Sequence, residues 1–188
     1  MKVAEVKNLE EALAYAVDVC DKKEMAQLYL VERDGKLCSL AEEQVIYAEK
    51  KTLAAPAIDE KSYENLAKMC AKKNITPIRD NLRQWMAGHD VGVAVVDRCF
   101  ADNPTCVFSC NDENLRLALS VGEEYVFITP KSRIVRTSYD AEEYLMDLHS
   151  GVTYTDFISS SSRTADIERV LAIGVHGSLI IHLVITEE

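Results

Sequence analysis

The feature that most constrains the fold is a regular alternation between short apolar, β-branched runs and segments whose apolar residues recur at helical spacing. Residues Val91–Val96, Cys106–Cys110, Tyr125–Thr129 (stopped by Pro130) and Leu179–Ile185 read as strands. Three further strands are expected at Lys51–Ala57, at the short edge Ile75–Ile78 and near Val152–Phe157. Between them, Asp59 caps a helix with Tyr63, Leu66, Ala67 and Cys70 on one face, ended by Asn74. Asp112 opens another, with Leu115, Ala118 and Leu119 facing inward, and further helices are expected from Asp80 through Trp85 to Gly88 and from Tyr139 to His149. Strand, helix, strand in this order predicts an α/β fold, a mostly parallel sheet flanked by helices and covered on both faces. Ligands of such sheets sit in the crevice beyond the carboxyl ends of the strands, where the loop after Phe157 is expected to lie.

The start of the chain reads differently. Leu9, Leu13, Ala16, Val17 and Cys20 recur at helical spacing, and Asp34-Gly35 then marks a turn that suits either a hairpin or a loop between two helices. Residues 1–50 are therefore expected as an N-terminal helical extension and residues 51–188 as the α/β domain. At 48% hydrophobic, 188 residues are enough for one sizeable core.

Charge excludes some partners. The formal net charge of −10 repels nucleic-acid phosphates and anionic lipid surfaces, and no Lys/Arg block offsets it. No apolar run approaches the ~20 residues of a membrane helix, and the opening MKVAEVKNLEEA lacks a signal-peptide core, so a cytoplasmic chain is expected. Six cysteines show no CxxC spacing and are expected as thiols in a reducing compartment. Cys99, Cys106 and Cys110 are spaced unlike a zinc or iron–sulfur framework, and on a strand they face the core most simply. With no iron–sulfur ligand run and no G-x-G-x-x-G loop, no cofactor is expected.

Function is concentrated in SSSSRTADIE, Ser159 to Glu168, and in Gly174-Val175-His176-Gly177 beyond it. Hydroxyls, backbone N–H groups, a helix starting near Thr164 and the Arg163 fork together suit a carboxylate or phosphate. The same residues also suit plain structure, with Ser and Thr as caps and Arg163 paired to Asp166 or Glu168.

These two segments resemble the signature of the LUD domain family, G-P-S-[RK]-T-A-D-I-E followed by G-V-H-G-P, whose best-known members are the lactate-utilization C (LutC) proteins. Ser162, Arg163, Thr164, Ala165, Asp166, Ile167 and Glu168 match, as do Gly174, Val175, His176 and Gly177, whereas Ser160, Ser161 and Ser178 depart from it. A third family element, A-[DE]-T-G-T, is similar to Ala101-Asp102-Asn103-Pro104-Thr105, with Asn103-Pro104 in place of Thr-Gly. The resemblance takes in residues 75 to 186 and is poor over the first fifty. It implies the fold of glucosamine-6-phosphate deaminase, ribose-phosphate isomerase and the CoA transferases (NagB/RpiA/CoA transferase-like).

The resemblance also implies an accessory, non-redox component of an iron–sulfur L-lactate oxidation system, with iron–sulfur proteins as partners. A small carboxylate or a partner would bind through Ser162, Arg163, Thr164, Asp166, Glu168, Thr105, Gly174, His176 and Gly177. His176, Glu168 and Asp102 are the candidate catalytic groups, since His titrates near neutrality and a carboxylate can act as base toward a hydroxy acid. His176 serves equally as a loop-orienting hydrogen-bond donor, and Asp102 as part of an Asp-Asn-Pro turn. Two other function classes stay open: a stand-alone isomerase- or CoA-transferase-like enzyme, and a non-catalytic metabolite-binding module.

Overall fold

The computed structural model describes residues 1–24, 49–86, 88–151, 154–160, 163–164, 172–173 and 178–187. Helix starts follow the short polar side chains that cap them. Asn8 accepts from the Glu11 N–H at 3.0 Å and opens α1 (Leu9–Lys22), while Glu11 reaches back to the Lys7 N–H. Asp59 caps α2 (Glu60–Lys72), and Asp112 caps α3 (Glu113–Ser120) by accepting from Asn114 and Leu115. A fourth helix, α4 (Glu142–Gly151), follows a 3-10 turn at Tyr139–Ala141.

The main sheet has six parallel strands. These are β1 (Lys2–Val6), β2 (Thr52–Ala54), β3 (Thr76–Ile78), β4 (His89–Val95), β7 (Gly122–Pro130) and β12 (Ile180–Thr186), in the spatial order β1-β12-β7-β4-β2-β3. A second sheet contains β5 (Arg98–Phe100), β6 (Thr105–Ser109), β8 (Ile134–Val135) and β9 (Thr155–Ile158), ordered β8-β5-β6-β9 and antiparallel except where β8 joins β5. A two-residue pair, β10 (Arg163–Thr164) with β11 (Ala172–Ile173), completes the described strands.

The mostly parallel α/β sheet is the expected architecture, but its two faces are covered differently. On one face α1 and α2 pack Leu13, Ala16, Cys20, Leu66 and Cys70 against Leu53, Val91, Val93 and Val126. On the other, α3 shares the cover with the small sheet, whose Cys99, Cys106 and Phe108 meet Tyr125, Phe127, Ile181 and Leu183. The rings of Phe108 and Phe127 stand edge to face at 4.8 Å. Both faces are covered, as read from the alternation, one by a helix layer and the other by a mixed layer, because β6 and β9 pair with each other instead of joining the parallel ladder.

One expectation is corrected. Among the described residues of the segment expected as a helix from Asp80 to Gly88, Leu82–Trp85 forms a 3-10 turn: Asn81 adopts left-handed backbone (φ 57°), and the Leu82 N–H goes to the Asn114 side chain. At the amino end, Lys2–Val6 adds an edge strand in register with His182–Thr186, and α1 contributes to the main core. The turn at Asp34-Gly35 lies outside the described residues.

Candidate functional site

The small sheet brings two of the sequence elements together. Strand β5 ends in the turn Ala101–Pro104, tied to the end of β8 and the residue after it by the Ala101 and Asp102 N–H groups, which donate to the carbonyls of Val135 and Arg136. Within the turn the Asn103 N–H donates to the Asp102 carboxylate at 2.7 Å, and Asp102 is exposed. Strand β6 then pairs with β9 so that Cys106 faces Ile158. The next residues outward, Thr105 and Ser159, share a hydroxyl–hydroxyl hydrogen bond of 2.8 Å, with Thr105 buried. The turn bearing Asp102 and Thr105 therefore abuts the first residue of the Ser159–Glu168 stretch.

Beyond that junction the described residues are few. Arg163 and Thr164 are extended and pair antiparallel with Ile173 and Ala172, and the residues between these two pairs lie outside the described residues. The loop after Phe157 also leaves a strand of the small sheet, so the carboxyl-end rule for parallel strands does not govern its position. Ser162, Asp166, Glu168, Gly174, His176 and Gly177 lie outside the described residues.

The carboxyl rim of the parallel sheet holds crevices of its own. Val6, Thr186 and Pro130 end β1, β12 and β7 in register. Around the first two lies a cavity of about 350 Å³ that takes in Lys7, Glu11, Lys131 and Glu187. A larger one, about 500 Å³, opens after β3 and is lined by Asp80, Asn81, Arg83, Gln84, Glu113 and Asn114, with the Arg83–Glu113 ion pair across it.

Two buried polar groupings escaped sequence reasoning. His182 accepts or donates at 2.9 Å to the Tyr15 hydroxyl and at 3.3 Å to the Glu124 carboxylate, and burial holds it below the ordinary imidazole value despite the opposing Glu124 bond. A lone imidazole inside the apolar run Leu179–Ile185 is the signal that marks it. At the amino rim, the Lys23 ammonium bridges Glu123 (2.6 Å) and Asp90 (3.4 Å), and Asp90 also accepts from the Thr52 N–H and hydroxyl. Among the described residues no group of three or more His, Cys, Asp or Glu side chains is arranged to hold a metal ion, and no helix is long and apolar enough to cross a membrane.

Comparison with known proteins bears on the whole chain. The LUD domain family model matches residues 1–186, the first fifty included. Lactate utilization protein C of Shouchella clausii is 34% identical over 94 residues, covering 48% of this chain and 41% of that protein. The namesake of an Exiguobacterium species is 28% identical over 103 residues, covering 53% and 45%. The chain spans about half the length of the curated relatives it matches. In fold it is similar to the crystal structure of a DUF162 family protein from Deinococcus radiodurans, with a TM-score of 0.58 at 10% identity over 99% of this chain and 88% of that one. With the parallel sheet, the paired signature segments and a family match over nearly its full length, this chain belongs to the LUD domain family.

Proposed function

We propose that this protein is a lactate-utilization C-like, non-redox component of an L-lactate oxidation system, acting beside separate iron–sulfur proteins. Its site is the loop pair Ser162–Glu168 and Gly174–Gly177, completed by Thr105 and taking a small carboxylate or a partner's acidic group. The observation that supports this most is the hydrogen bond between Thr105 and Ser159, which joins the Asp102–Thr105 turn to the head of the signature loop. Loops that a rigid sheet holds together in this way are where binding residues collect. Arg163 is assigned the ligand carboxylate, because a guanidinium offers two parallel donors to it. His176, Glu168 and Asp102 are assigned to proton handling at the same ligand.

Anaerobic affinity purification of the tagged protein from its native cells tests the partnership. Stoichiometric brown iron–sulfur chains are the expected result, and a colourless protein recovered alone overturns it. For the site, L-lactate binding is measured by calorimetry on the wild type and on Arg163→Ala. A loss of affinity by tenfold or more is expected, at the ~1.5–3 kcal/mol of a charge-assisted hydrogen bond. Unchanged affinity removes Arg163 from the site, and turnover of lactate by the isolated chain replaces the accessory role with that of an enzyme.

A further inference from the structure

We propose that Cys99 and Cys106 form an oxidisable dithiol, closing reversibly to an intrachain disulfide across β5 and β6. The two residues stand directly opposite each other in the antiparallel ladder, so both side chains project from the same face of the small sheet. Opposed residues in such a pair have Cα atoms about 4.5–5.5 Å apart, inside the roughly 4.4–6.8 Å that a disulfide requires. Bridging them asks for side-chain rotation, not backbone travel. Both are free thiols in the layer between the two sheets.

The other described cysteines are engaged elsewhere. The Cys20 thiol points to the Thr52 carbonyl, and with Cys70 it lies across the main sheet in the helix-side core. Cys110 follows β6, takes the Tyr154 carbonyl through its backbone N–H, and turns its thiol to Asp156.

The environment separates two roles. The Cys99 thiol points to the Phe100 carbonyl at 3.9 Å, and the two neighbouring thiols shift each other in opposite directions, Cys99 held below its ordinary value and Cys106 pushed up, with burial adding to the rise at Cys106. Cys99 is thus the attacking sulfur and Cys106 the resolving one. The oxidant is a low-molecular-weight disulfide, with glutathione disulfide as the probe. The Cys99 thiolate attacks one of its sulfurs, the disulfide bond breaks, and one glutathione leaves and takes up a proton. Cys106 then loses its proton and attacks the Cys99 sulfur, releasing the second glutathione. Two protein thiols are oxidised by two electrons, and one external disulfide is reduced to two thiols.

Cys99 and Cys106 are 2% and 0% exposed, so an oxidant reaches them only when this corner opens locally. Strand β5 has three residues and β8, its outer neighbour, has two, so few ladder bonds oppose local opening. The closed bridge would staple the base of the turn that carries Asp102 and Thr105.

The full-length reduced protein is equilibrated in glutathione buffers of rising disulfide fraction without denaturant, quenched in acid, alkylated and mapped without reduction. Chymotryptic cleavage after Phe100 and Phe108 separates the three neighbouring cysteines. The expected result is an intact mass lower by two hydrogens, loss of alkylation at Cys99 and Cys106 together, a linked peptide pair containing both, and full reversal by dithiothreitol. Cys110→Ala keeps this behaviour, while Cys99→Ala and Cys106→Ala lose it. Full alkylation of both cysteines throughout the titration, a persistent glutathione adduct, or a bridge that maps to any other pair overturns the proposal. The wild-type map decides by itself if an alanine variant fails to fold.

Discussion

Thr105 and Ser159, 54 positions apart in the chain, meet through one hydroxyl–hydroxyl hydrogen bond of 2.8 Å. It exists because β6 and β9 pair in the register Cys106 to Ile158, leaving the next residue of each strand opposed on the same face. Thr105→Val keeps the shape and removes the hydroxyl. It should lower stability by about 1 kcal/mol, the net worth of such a bond, and Thr105→Ser should restore most of it. Urea unfolding midpoints check both.

Gly92 is confined by its neighbours and not by its backbone angles. A Cβ there would stand 2.7 Å from the Tyr125 ring and 2.8 Å from the Ala118 carbonyl, where α3 presses on β4. Gly92→Ala should therefore cost about 1–3 kcal/mol through overpacking, read as a lower denaturation midpoint with an unchanged slope.

Burial holds His89 down to about 4, against an ordinary value of 6.5. The folded state keeps the imidazole neutral while the unfolded chain takes up a proton, so the stabilisation is complete above pH 6.5 and is lost as the pH falls toward about 4. His182, also held down by burial, acts in the same direction. Across that window stability should fall by at most about 1.4 kcal/mol per pH unit for each of these groups. His89→Gln should flatten the dependence, measured as urea midpoints at several pH values.

The Lys23 ammonium is only 7% exposed and faces Asp90, itself 2% exposed. Lys23→Met removes the cation and leaves the carboxylates behind, which should cost about 3 kcal/mol, in the range for breaking a buried pair from one side. Because Lys23 directly follows α1, hydrogen exchange along Leu9–Lys22 should quicken in the variant.

Much of the local structure was legible in the residues. The caps Asp59 and Asp112 and the faces Leu13-Ala16-Cys20 and Leu115-Ala118-Leu119 act within a few residues of chain, where hydrogen-bond geometry and the helical period leave little freedom. The apolar runs at β4, β7 and β12 read as buried parallel strands because both faces are covered. The signature residues from Ser162 to Glu168, with the motif at Gly174–Gly177, indicated the family before any coordinate did. Strand β1 was not legible: Lys2–Val6 alternates weakly and becomes a strand only because β12 offers it an edge.

What the sequence by itself determined, then, is where helices and strands occur, that the sheet is mainly parallel, and which family the chain resembles, since these follow from periodicity, caps and linear motif. Only the tertiary structure decided that β6 and β9 leave the main ladder to form a second sheet over Tyr125 and Phe127, that Thr105 touches Ser159, and that Cys99 faces Cys106. Strand partners are chosen by which faces can be buried together across the whole fold, and a one-residue change of register would turn every one of those side chains to the opposite face.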